Sequence, residues 1–511
     1  YTTAMNPLAY PGEDQVRHFN LTHEWLAQVM LYGVYSVGGL PAVVLMRAVL
    51  LAGLCGLAGL LAARRTGSFY VGIAAAFAAA SLAHWVAVDR PMIVSFLFVA
   101  VFIALLEFRR ALWALPVLAI VWANCHGGFF LAWVVLVAHC AETIREMAAS
   151  DRRRLWVVTA CAIAASGLNP SGFGVVSTLL RYRQSPMTAN LIEWHPPYLW
   201  GAPYAFDVLL YAAALALIVS WRKVQLTDWL LFAAFAVAAL LAFRNIMLVG
   251  LLAPILIATY FPARFRFRVP RIAVWAAPAL LCIVLATGVA RGAFFQLRGA
   301  MWKFPVGAAD YLLANHVPGP LFNTYEHGGY LIWRLWPQYR VFIDGRAISE
   351  STNKDYQQIL YNLGSAVDQV AGPRAELLDR YGIQAVVMNT FEYNTGGAYA
   401  LAVALAKAPS SDWELVYDDA QSLVFLRHPP AGTPVFADKL RRVLDHMDTE
   451  CTVNIQNSPL AYLCARTMGD YWMRSRDIPR ARGMLQLYLE HAIYKDPVAE
   501  EALRRMGGGG Q

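Results

Sequence analysis

Ten apolar runs between residues 40 and 290 constrain the fold of this chain more than any other feature of its sequence. A helix needs roughly 17 to 25 apolar residues to cross the ~30 Å hydrocarbon core of a bilayer, and most of the runs approach that length. Runs 111–123 and 155–168 are shorter, and we expect them to extend into their flanks or to cross half of the membrane. By residue number, the ten runs are 40–63, 69–88, 91–106, 111–123, 129–144, 155–168, 204–221, 229–242, 246–261 and 272–290.

Composition separates this apolar part from a more polar one. Hydrophobic residues make up 58% of the 511 residues and charged residues 15%, whereas soluble proteins average about a quarter charged. Residues 40–290 contain 8 of the 34 acidic residues, and residues 291–511 contain 23. This distribution excludes a disordered chain, a disulfide-rich secreted module and a typical cytosolic enzyme. We predict a polytopic α-helical membrane protein, with about ten or eleven transmembrane helices, followed by a water-soluble half.

Short basic loops set the expected orientation, because Lys and Arg are enriched on the cytoplasmic side. If the loop after the first run is cytoplasmic, alternation places every dense basic cluster on that side. Residues 1–39 and the water-soluble half then lie outside the cytoplasm, in the periplasm that borders a bacterial inner membrane. Since most of the net charge of +8 lies in these loops, we expect membrane lipids as partners and no nucleic acid. The clusters are Arg64 and Arg65, Arg109 and Arg110, Arg152, Arg153 and Arg154, Arg222 and Lys223, and Arg264, Arg266, Arg268 and Arg271.

The patterns divide the chain into four segments. Residues 1–39 form an outer loop with an amphipathic interfacial helix over 22–39, and residues 40–290 form the transmembrane domain. Residues 291–430 alternate short β-like and helical runs, which predicts a small extracytoplasmic α/β domain. Its predicted strands cover 320–324, 341–344, 384–389, 413–417 and 423–427, with the last two as a hairpin, and a tight turn is predicted over 325–330. Residues 431–511 are predicted to be helical.

The C-terminal segment carries two specific predictions. Residues 458–474 and 479–493 form a helix pair whose small and aromatic residues are placed much as in a tetratricopeptide unit. One such unit is too short for a solenoid, so we interpret it as a cap or as a docking surface for a protein partner. Cys451 and Cys464 are 13 residues apart, and outside the cytoplasm they could form a disulfide or remain two free thiols.

The outer loops bring ionisable and amide side chains to one membrane boundary, where an unpaired charge is unfavourable and usually functional. They supply three carboxylates, two arginines, two histidines and two amides. This combination is typical of a site that binds an anionic lipid headgroup and carries out acid/base chemistry on it. The carboxylates are Glu24, Asp89 and Glu193, and the other residues are Arg90, Asn124, His126, His195, Arg244 and Asn245.

Several of these residues also have a structural interpretation, which the sequence leaves open. Arg90 and Arg244 could anchor the chain by extending to the interface, or they could bind a phosphate with the guanidinium fork. His126 precedes two glycines, so it could bond the backbone at a helix end or take part in the chemistry. Asp89 and Glu193 could simply pair with a neighbouring arginine.

Seven segments occur in a fixed order along the chain: HEWLAQVMLYGVYSVGG, DRP, VWANCHGGF, NPSGFG, IEWHPP, FRNIMLVGLLAP and NTYEHGGYLIWRLWPQYRVFIDGR. Together they resemble segments of bacterial multi-spanning proteins that are classed with the GT-C glycosyltransferase superfamily. The similarity runs from about residue 22 to residue 346. It is specific as an ordered set, and it implies a GT-C-like membrane domain.

The resemblance also implies an activity, which is the transfer of a sugar, with inversion, from a polyprenyl-phosphate carrier to an acceptor on the outer face. Such an enzyme needs a carboxylate as general base for the acceptor hydroxyl and cations that hold the leaving phosphate. A divalent metal is a candidate cofactor, because some members of the superfamily need one. On this basis Arg90 and Arg244 would hold the phosphate, and Asn124 and His126 would orient the phosphate or the sugar. Glu193 would act as base or bind sugar hydroxyls.

In such proteins the acid most often proposed as the base lies in the first outer loop, shortly after the first transmembrane helix. That region would fall upstream of Tyr1, where we expect a further helix, so Glu24, Asp89 and Glu193 are the candidates within the chain. Two other functions stay open: a non-catalytic subunit with the same fold in a larger membrane assembly, and a transporter of lipid-linked sugars. The transporter is less favoured because the polar residues gather at one leaflet, with Arg47 as the main exception.

Overall fold

The computed structural model describes residues 24–86, 89–146, 149–175, 177, 192–201, 203–261, 271–297, 299–345, 350–458 and 461–507. The chain divides into two compact units between Gly299 and Ala300. The first, Gln15–Gly299, is called the helical unit, and the second, which contains Ala300–Gln511, is called the mixed unit. Buried apolar residues form a core in the helical unit and two further clusters in the mixed unit.

Ten α-helices make up most of the described part of the helical unit. They are α1 (Trp25–Thr66), α2 (Phe69–Ala83), α3 (Met92–Phe108), α4 (Ala114–Cys125), α5 (Phe130–Glu146), α6 (Ala149–Ser166), α7 (Tyr204–Val219), α8 (Leu226–Leu241), α9 (Ile246–Tyr260) and α10 (Arg271–Ala290). Short 3-10 helices over Gly127–Phe129, Ile192–Trp194 and Phe243–Asn245 lie between them.

Three helical stretches among the described residues are long and apolar enough to cross a membrane: Trp25–Thr66, Phe69–Val86 and Phe243–Tyr260. Six further apolar helices are shorter, at 10–17 residues. A helix rises ~1.5 Å per residue, so α4, with 12 residues, reaches only about 18 Å. The chain is therefore a helical membrane protein, and the number of ten or eleven spans stays a prediction.

Helix α1 contains a break at two adjacent glycines. Gly39 has φ +62°, and a Cβ on Gly38 would lie 2.8 Å from the Cβ of Ala42. Glycine adopts a positive φ without the steric strain that other residues meet, and Pro41 follows within the same stretch. The break falls at the boundary drawn from the sequence between the amphipathic helix and the first apolar run.

Helix α9 is the centre of the helical unit. Every residue from Ile246 to Leu256 is buried, and the helix packs against α1, α2, α7 and α8. A helix that is apolar on all sides is stable only when other helices or lipid surround it. The run 246–261 therefore becomes the core around which the other helices are arranged.

A buried ionic network joins four of these helices at the end where α1 finishes. Arg65 of α1 donates to both carboxylate oxygens of Asp228 on α8, at 2.8 and 3.0 Å, and to Glu107 on α3. The hydroxyl of Tyr260 on α9 donates to Asp228 at 2.6 Å. The sequence places Arg65 in a basic loop, whereas its side chain is only 14% exposed. Its charge is used inside the helix bundle, because a buried cation needs compensating carboxylates.

The mixed unit combines four strands with nine described helices. The helices are α11 (Val306–Ala314), α12 (Tyr325–Leu335), α13 (Glu350–Tyr361), α14 (Pro373–Arg380), α15 (Ala400–Lys407), α16 (Lys439–Asn457), α17 (Leu463–Arg474), α18 (Ile478–His491) and α19 (Pro497–Gly507). The strands are β1 (Leu321–Asn323), β2 (Ala385–Met388), β3 (Trp413–Asp418) and β4 (Leu423–Arg427).

These strands form one sheet in the order β1-β2-β4-β3. Strands β1 and β2 are parallel, with Phe322 opposite Val386, and β4 is antiparallel to both β2 and β3. Asp418 pairs with Leu423, so the hairpin predicted for the last two strands is confirmed. Strand β4 thus lies between β2 and β3 and pairs with both.

Residues 341–344, predicted as a strand, are buried but form no strand. The side chain of Asn323 takes the place of a neighbouring strand: its oxygen accepts from the backbone N–H of Phe342 at 2.8 Å, and its amide donates to the carbonyl of Ile343 at 2.9 Å. Buried backbone groups need partners, and one asparagine supplies both here. The pattern of apolar residues predicted the burial correctly and the pairing wrongly.

The tight turn predicted over 325–330 is also wrong, since these residues begin helix α12. Gly328 is needed for close packing and not for a turn: a Cβ there would lie 2.1 Å from the carbonyl oxygen of Ile343. Glycine permits this approach because it has no side chain.

The C-terminal helices α16 to α19 share a core with the sheet. Val443 and Met447 of α16 lie in the same apolar cluster as Phe425 of β4. A disulfide joins Cys451 of α16 to Cys464 of α17, which is one of the two alternatives that the sequence left open. Residues 431–507 therefore pack, as far as the structure describes them, within the mixed unit.

A buried histidine fixes α16 against the sheet. The Nδ1 of His446 lies 2.7 Å from Asp418 on β3, and its Nε2 lies 3.1 Å from Glu450. Glu450 also accepts from the backbone N–H and the hydroxyl of Thr390, just after β2. Burial disfavours the charged imidazolium, but the hydrogen bonds and charges of Asp418 and Glu450 outweigh it and raise the pKa of His446 to about 9. His446 is the cation between two buried carboxylates.

We expect His446 to make the stability of the protein depend on pH. Because its folded pKa, about 9, lies above the ordinary ~6.5, its contribution of about 3 kcal/mol is complete below pH ~6.5 and is lost as the pH rises through ~9. The pKa of Asp418 is lowered, so its contribution is lost only in acid. In the His446→Gln variant, the thermal unfolding midpoint should be lower and should no longer fall between pH 6.5 and 9 as in the wild type.

His316→Gln is the matched control, because His316 is an exposed histidine of the same unit. It should keep the wild-type dependence of the midpoint on pH. An unchanged pH dependence in His446→Gln would contradict the assignment of the charge to His446.

Candidate active site

Five short segments meet at the end of the helical unit where α1 begins, α4 ends and α9 begins. They supply the start of α1, the turn before α3, the end of α4, and the two 3-10 helices Ile192–Trp194 and Phe243–Asn245. All nine residues proposed from the sequence lie on or beside these segments. The structure brings them together in four groups, which differ in how strongly each side chain is already engaged.

The first group is a carboxylate held by two arginines. Glu193 Oε2 accepts from Arg90 at 2.8 Å, and Glu193 Oε1 lies 3.4 Å from Arg244. The guanidinium of Arg244 lies over the ring of Trp194, 4.7 Å from its centroid. The Arg244 side chain is 19% exposed, whereas that of Arg90 is 59% exposed. The ring and the burial hold Arg244 in place more firmly than Arg90.

A backbone hydrogen bond joins the two 3-10 helices. The N–H of Phe243 donates to the carbonyl of His195 at 2.8 Å, which aligns Glu193 with Arg244. The side chain of His195 is exposed. The side-chain amide of Asn245 donates to the carbonyl of Ala238 at the end of α8. His195 thus contributes to the site through its backbone carbonyl, and the side chain of Asn245 bonds a backbone carbonyl in the last turn of α8.

The second group pairs Asp89 with Arg47, which lies in α1 beyond the glycine break, at 3.0 Å. The sequence suggested that Asp89 could pair with a nearby arginine, and the partner comes from another helix instead of from Arg90. Asp89 is 43% exposed. The pair connects the turn before α3 to α1.

His126 is the centre of the third group. Its Nδ1 lies 2.7 Å from the hydroxyl of Ser95 on α3 and accepts from the N–H of Gly128 at 3.0 Å. Its Nε2 lies 3.7 Å from Glu24 Oε1. Trp122 Nε1 donates to Ser95 at 2.7 Å. One ring nitrogen thus bonds the backbone, as in the structural alternative drawn from the sequence, and the other faces a carboxylate. A role of His126 in the chemistry stays a prediction.

Asn124, in the fourth group, is buried and joins three segments. Its oxygen accepts from Trp25 Nε1 at 2.7 Å, and its amide donates to the carbonyls of Ile120 and Leu168. A buried amide needs such partners, and these three contacts use most of its capacity. Asn124 therefore fixes the start of α1, and with it Glu24, to the end of α4.

The residues that hold the site together were not identified from the patterns in the sequence. Ser95 is the one polar residue in the apolar run 91–106, and that isolation is the signal that could have identified it. The sequence gives no separate role to Trp25, Trp122 and Trp194, although their indole N–H groups or ring faces contact site residues. A tryptophan at a helix end carries no spacing pattern that distinguishes these uses.

No group of three or more His, Cys, Asp or Glu side chains that could hold a metal ion occurs among the described residues. Asp89 and Glu193 each contact arginine, and Glu24 lies beside His126. Arginine donors occupy the oxygens of Asp89 and Glu193 that a metal would need. The described residues do not fit the divalent metal that the resemblance suggested, and we assign no metal ligand.

In the mixed unit, a partly buried acid lies just after β1. Glu326 accepts from the hydroxyl of Tyr399 at 2.6 Å, and burial raises its pKa to about 7. Next to it, burial lowers the pKa of His327 to about 3, so this histidine is neutral at physiological pH. Glu326 is an acid that changes its charge near neutral pH.

Most of the chain is similar in fold to a solved structure. One match is the archaeal oligosaccharyltransferase AglB from Archaeoglobus fulgidus, solved in complex with an inhibitory peptide and a dolichol-phosphate, with a TM-score of 0.50. The identity is 10%, and the match covers 83% of this chain and 70% of that one. The chain has a GT-C-like membrane fold. At this identity the likeness shows the fold alone. No protein-family model and no curated protein sequence match the chain.

We expect the hydrogen bond between Trp25 and Asn124 to stabilise the helical unit by about 1 kcal/mol. Trp25→Phe and Asn124→Ala should each lower the thermal unfolding midpoint in detergent, because each leaves a polar group without its partner. The double variant should lose less than the sum of the two single losses, since both remove the same bond.

Trp113→Phe is the control for the aromatic substitution, because Trp113 is 53% exposed at the start of α4. It should leave the midpoint close to that of the wild type. Strictly additive losses in the double variant would show that the two side chains stabilise the unit independently.

Proposed function

We propose that the chain is a membrane glycosyltransferase, which transfers a sugar from a polyprenyl-phosphate lipid to an acceptor outside the membrane. The pair of arginines that converge on Glu193 carries this proposal. A GT-C-like fold supports it, because the neighbour that shares the fold is an oligosaccharyltransferase in complex with a dolichol-phosphate. The ordered motifs of the sequence support the same reaction class.

The leaving group of this reaction is a phosphate, whose charge must be neutralised as the bond to the sugar breaks. Arg244 suits that task, because its guanidinium is fixed against Trp194 and lies within 3.4 Å of a carboxylate oxygen. A phosphate oxygen that replaces this carboxylate oxygen would meet the same guanidinium. Arg90, which is more exposed, would contribute a second, weaker contact.

The same geometry separates the roles of the carboxylates. Each oxygen of Glu193 contacts one arginine, so we assign Glu193 to holding the guanidinium groups before the lipid binds. Asp89 contacts Arg47. Glu24 lies beside the imidazole of His126, and we propose it as the first candidate within the described residues for the base that activates the acceptor hydroxyl. Asp89 is the second candidate.

Orientation and partners extend the proposal. We place the protein in a bacterial inner membrane, with the mixed unit outside the cytoplasm, on the basis of the basic loops. Its partners are then a polyprenyl-phosphate sugar and membrane lipids. A protein partner that binds the tetratricopeptide-like C-terminal helices stays a prediction.

The test is sugar transfer by purified protein from a panel of polyprenyl-phosphate sugars. Arg244→Ala should lower turnover by a factor of about 10² to 10³, which is typical for the loss of one donor that stabilises developing charge. Arg90→Ala should have a smaller effect, because the Arg90 side chain is 59% exposed.

Arg222→Ala is the matched control, since Arg222 also lies over a tryptophan ring, at 5.1 Å, but in the loop before α8, whereas the site segment Phe243–Asn245 follows the end of that helix. It should turn over at the wild-type rate. Unchanged turnover in Arg244→Ala would remove Arg244 from the site. A wild-type protein that transfers no sugar from any donor in the panel would favour the non-catalytic subunit, and movement of the lipid without transfer would favour the transporter.

A further inference from the structure

Ser95 is buried at the start of α3, next to the site, and takes part in a chain of hydrogen bonds. Its side chain is 2% exposed. Its hydroxyl oxygen accepts from Trp122 Nε1 at 2.7 Å, and the same oxygen lies 2.7 Å from Nδ1 of His126. The hydroxyl keeps its own hydrogen, which it can donate to Nδ1 of His126 if that nitrogen carries no hydrogen.

A second donor meets the same ring nitrogen. The backbone N–H of Gly128 donates to Nδ1 of His126 at 3.0 Å. This nitrogen therefore accepts from two donors and carries no hydrogen. A neutral imidazole then carries its hydrogen on Nε2, which is the nitrogen that lies 3.7 Å from Glu24.

Gly128 is required for this arrangement. A Cβ at position 128 would lie 2.9 Å from Nδ1 of His126 and 2.9 Å from the hydroxyl oxygen of Ser95. Any side chain there would push the histidine or the serine out of place. In the motif His126-Gly127-Gly128, Gly128 supplies the N–H that donates to His126. Because Gly128 has no side chain, the backbone can approach the imidazole.

We propose that Ser95 is a positioning residue which, together with Trp122 and Gly128, holds His126 as a neutral Nε2–H donor. That donor binds an anionic oxygen of the lipid phosphate, and His126 does not shuttle protons. The identity of the anion rests on the proposed function, whereas the state of the imidazole does not. Protonation of Nδ1 would break the hydrogen bond from Gly128 and reverse the one with Ser95, which disfavours that form of the ring.

The state of the ring is tested by 15N NMR of the full chain labelled at histidine, with the His126 signals identified as those lost in His126→Gln. In the wild type, Nδ1 should give a signal of the unprotonated type and Nε2 one of the protonated type. In Ser95→Ala, a mixture of both forms should appear, because one of the two donors is gone. Ser81→Ala is the control, since the Ser81 hydroxyl donates to the backbone of its own helix. A protonated Nδ1 in the wild type, or unchanged signals in Ser95→Ala, would overturn the positioning role.

The role as a donor is tested by sugar transfer. The amide nitrogen of glutamine can take the place of Nε2 and donates without titrating, so His126→Gln should retain activity within about tenfold of the wild type. His126→Asn, whose amide is too short, should lose a factor of about 10² to 10³. Ser95→Ala should lose about tenfold. Equal losses in the glutamine and asparagine variants would overturn the donor role. If the wild type transfers no sugar, the proposed function and the donor role fail together, and the NMR result still decides the positioning of His126.

Discussion

A guanidinium or carboxylate among apolar helices destabilises the protein unless an opposite charge lies beside it, and this requirement organises the helical unit at both ends. At one end, Arg65 binds Glu107 and Asp228 and so joins α1, α3 and α8. At the other end, Glu193 lies between Arg90 and Arg244. The first arrangement is buried and saturated, whereas the second is partly open to solvent. The same physical need therefore gives a closed ion-pair network at one end and, at the other, the partly exposed arginines to which we assign the lipid phosphate.

The sequence predicted the apolar helices and the approach of Glu193 to Arg90 and Arg244 because both depend on composition and order. Apolar runs specify helices, and the ordered outer motifs placed Glu193, Arg90 and Arg244 at one boundary, where the structure joins them. The partners of Asp89 and Asn124 could not be predicted in the same way. They come from distant segments through single side chains, as with Arg47 on α1, and such pairings leave no periodic pattern in the sequence.

The mixed unit shows the same limit in a water-soluble fold. Alternation and turn residues predicted the hairpin of β3 and β4 correctly. They failed at residues 341–344, where the side chain of Asn323 satisfies the backbone in place of a strand. They also gave no sign that His446 would connect α16 to Asp418. A single buried polar side chain can decide between two local structures that have the same apolar pattern.

A small change of angle at the glycine break in α1 would move the residues at the start of that helix. The segment between Glu24 and Gly38 is about 20 Å long, so a rotation of about 10° at the break moves the carboxylate by roughly 3 to 4 Å. That distance is comparable to the gap between Glu24 and His126, which is 3.7 Å. The start of α1 is held by the hydrogen bond from Trp25 to Asn124. A neutral hydrogen bond one residue away from Glu24 therefore helps to set the position of its carboxylate.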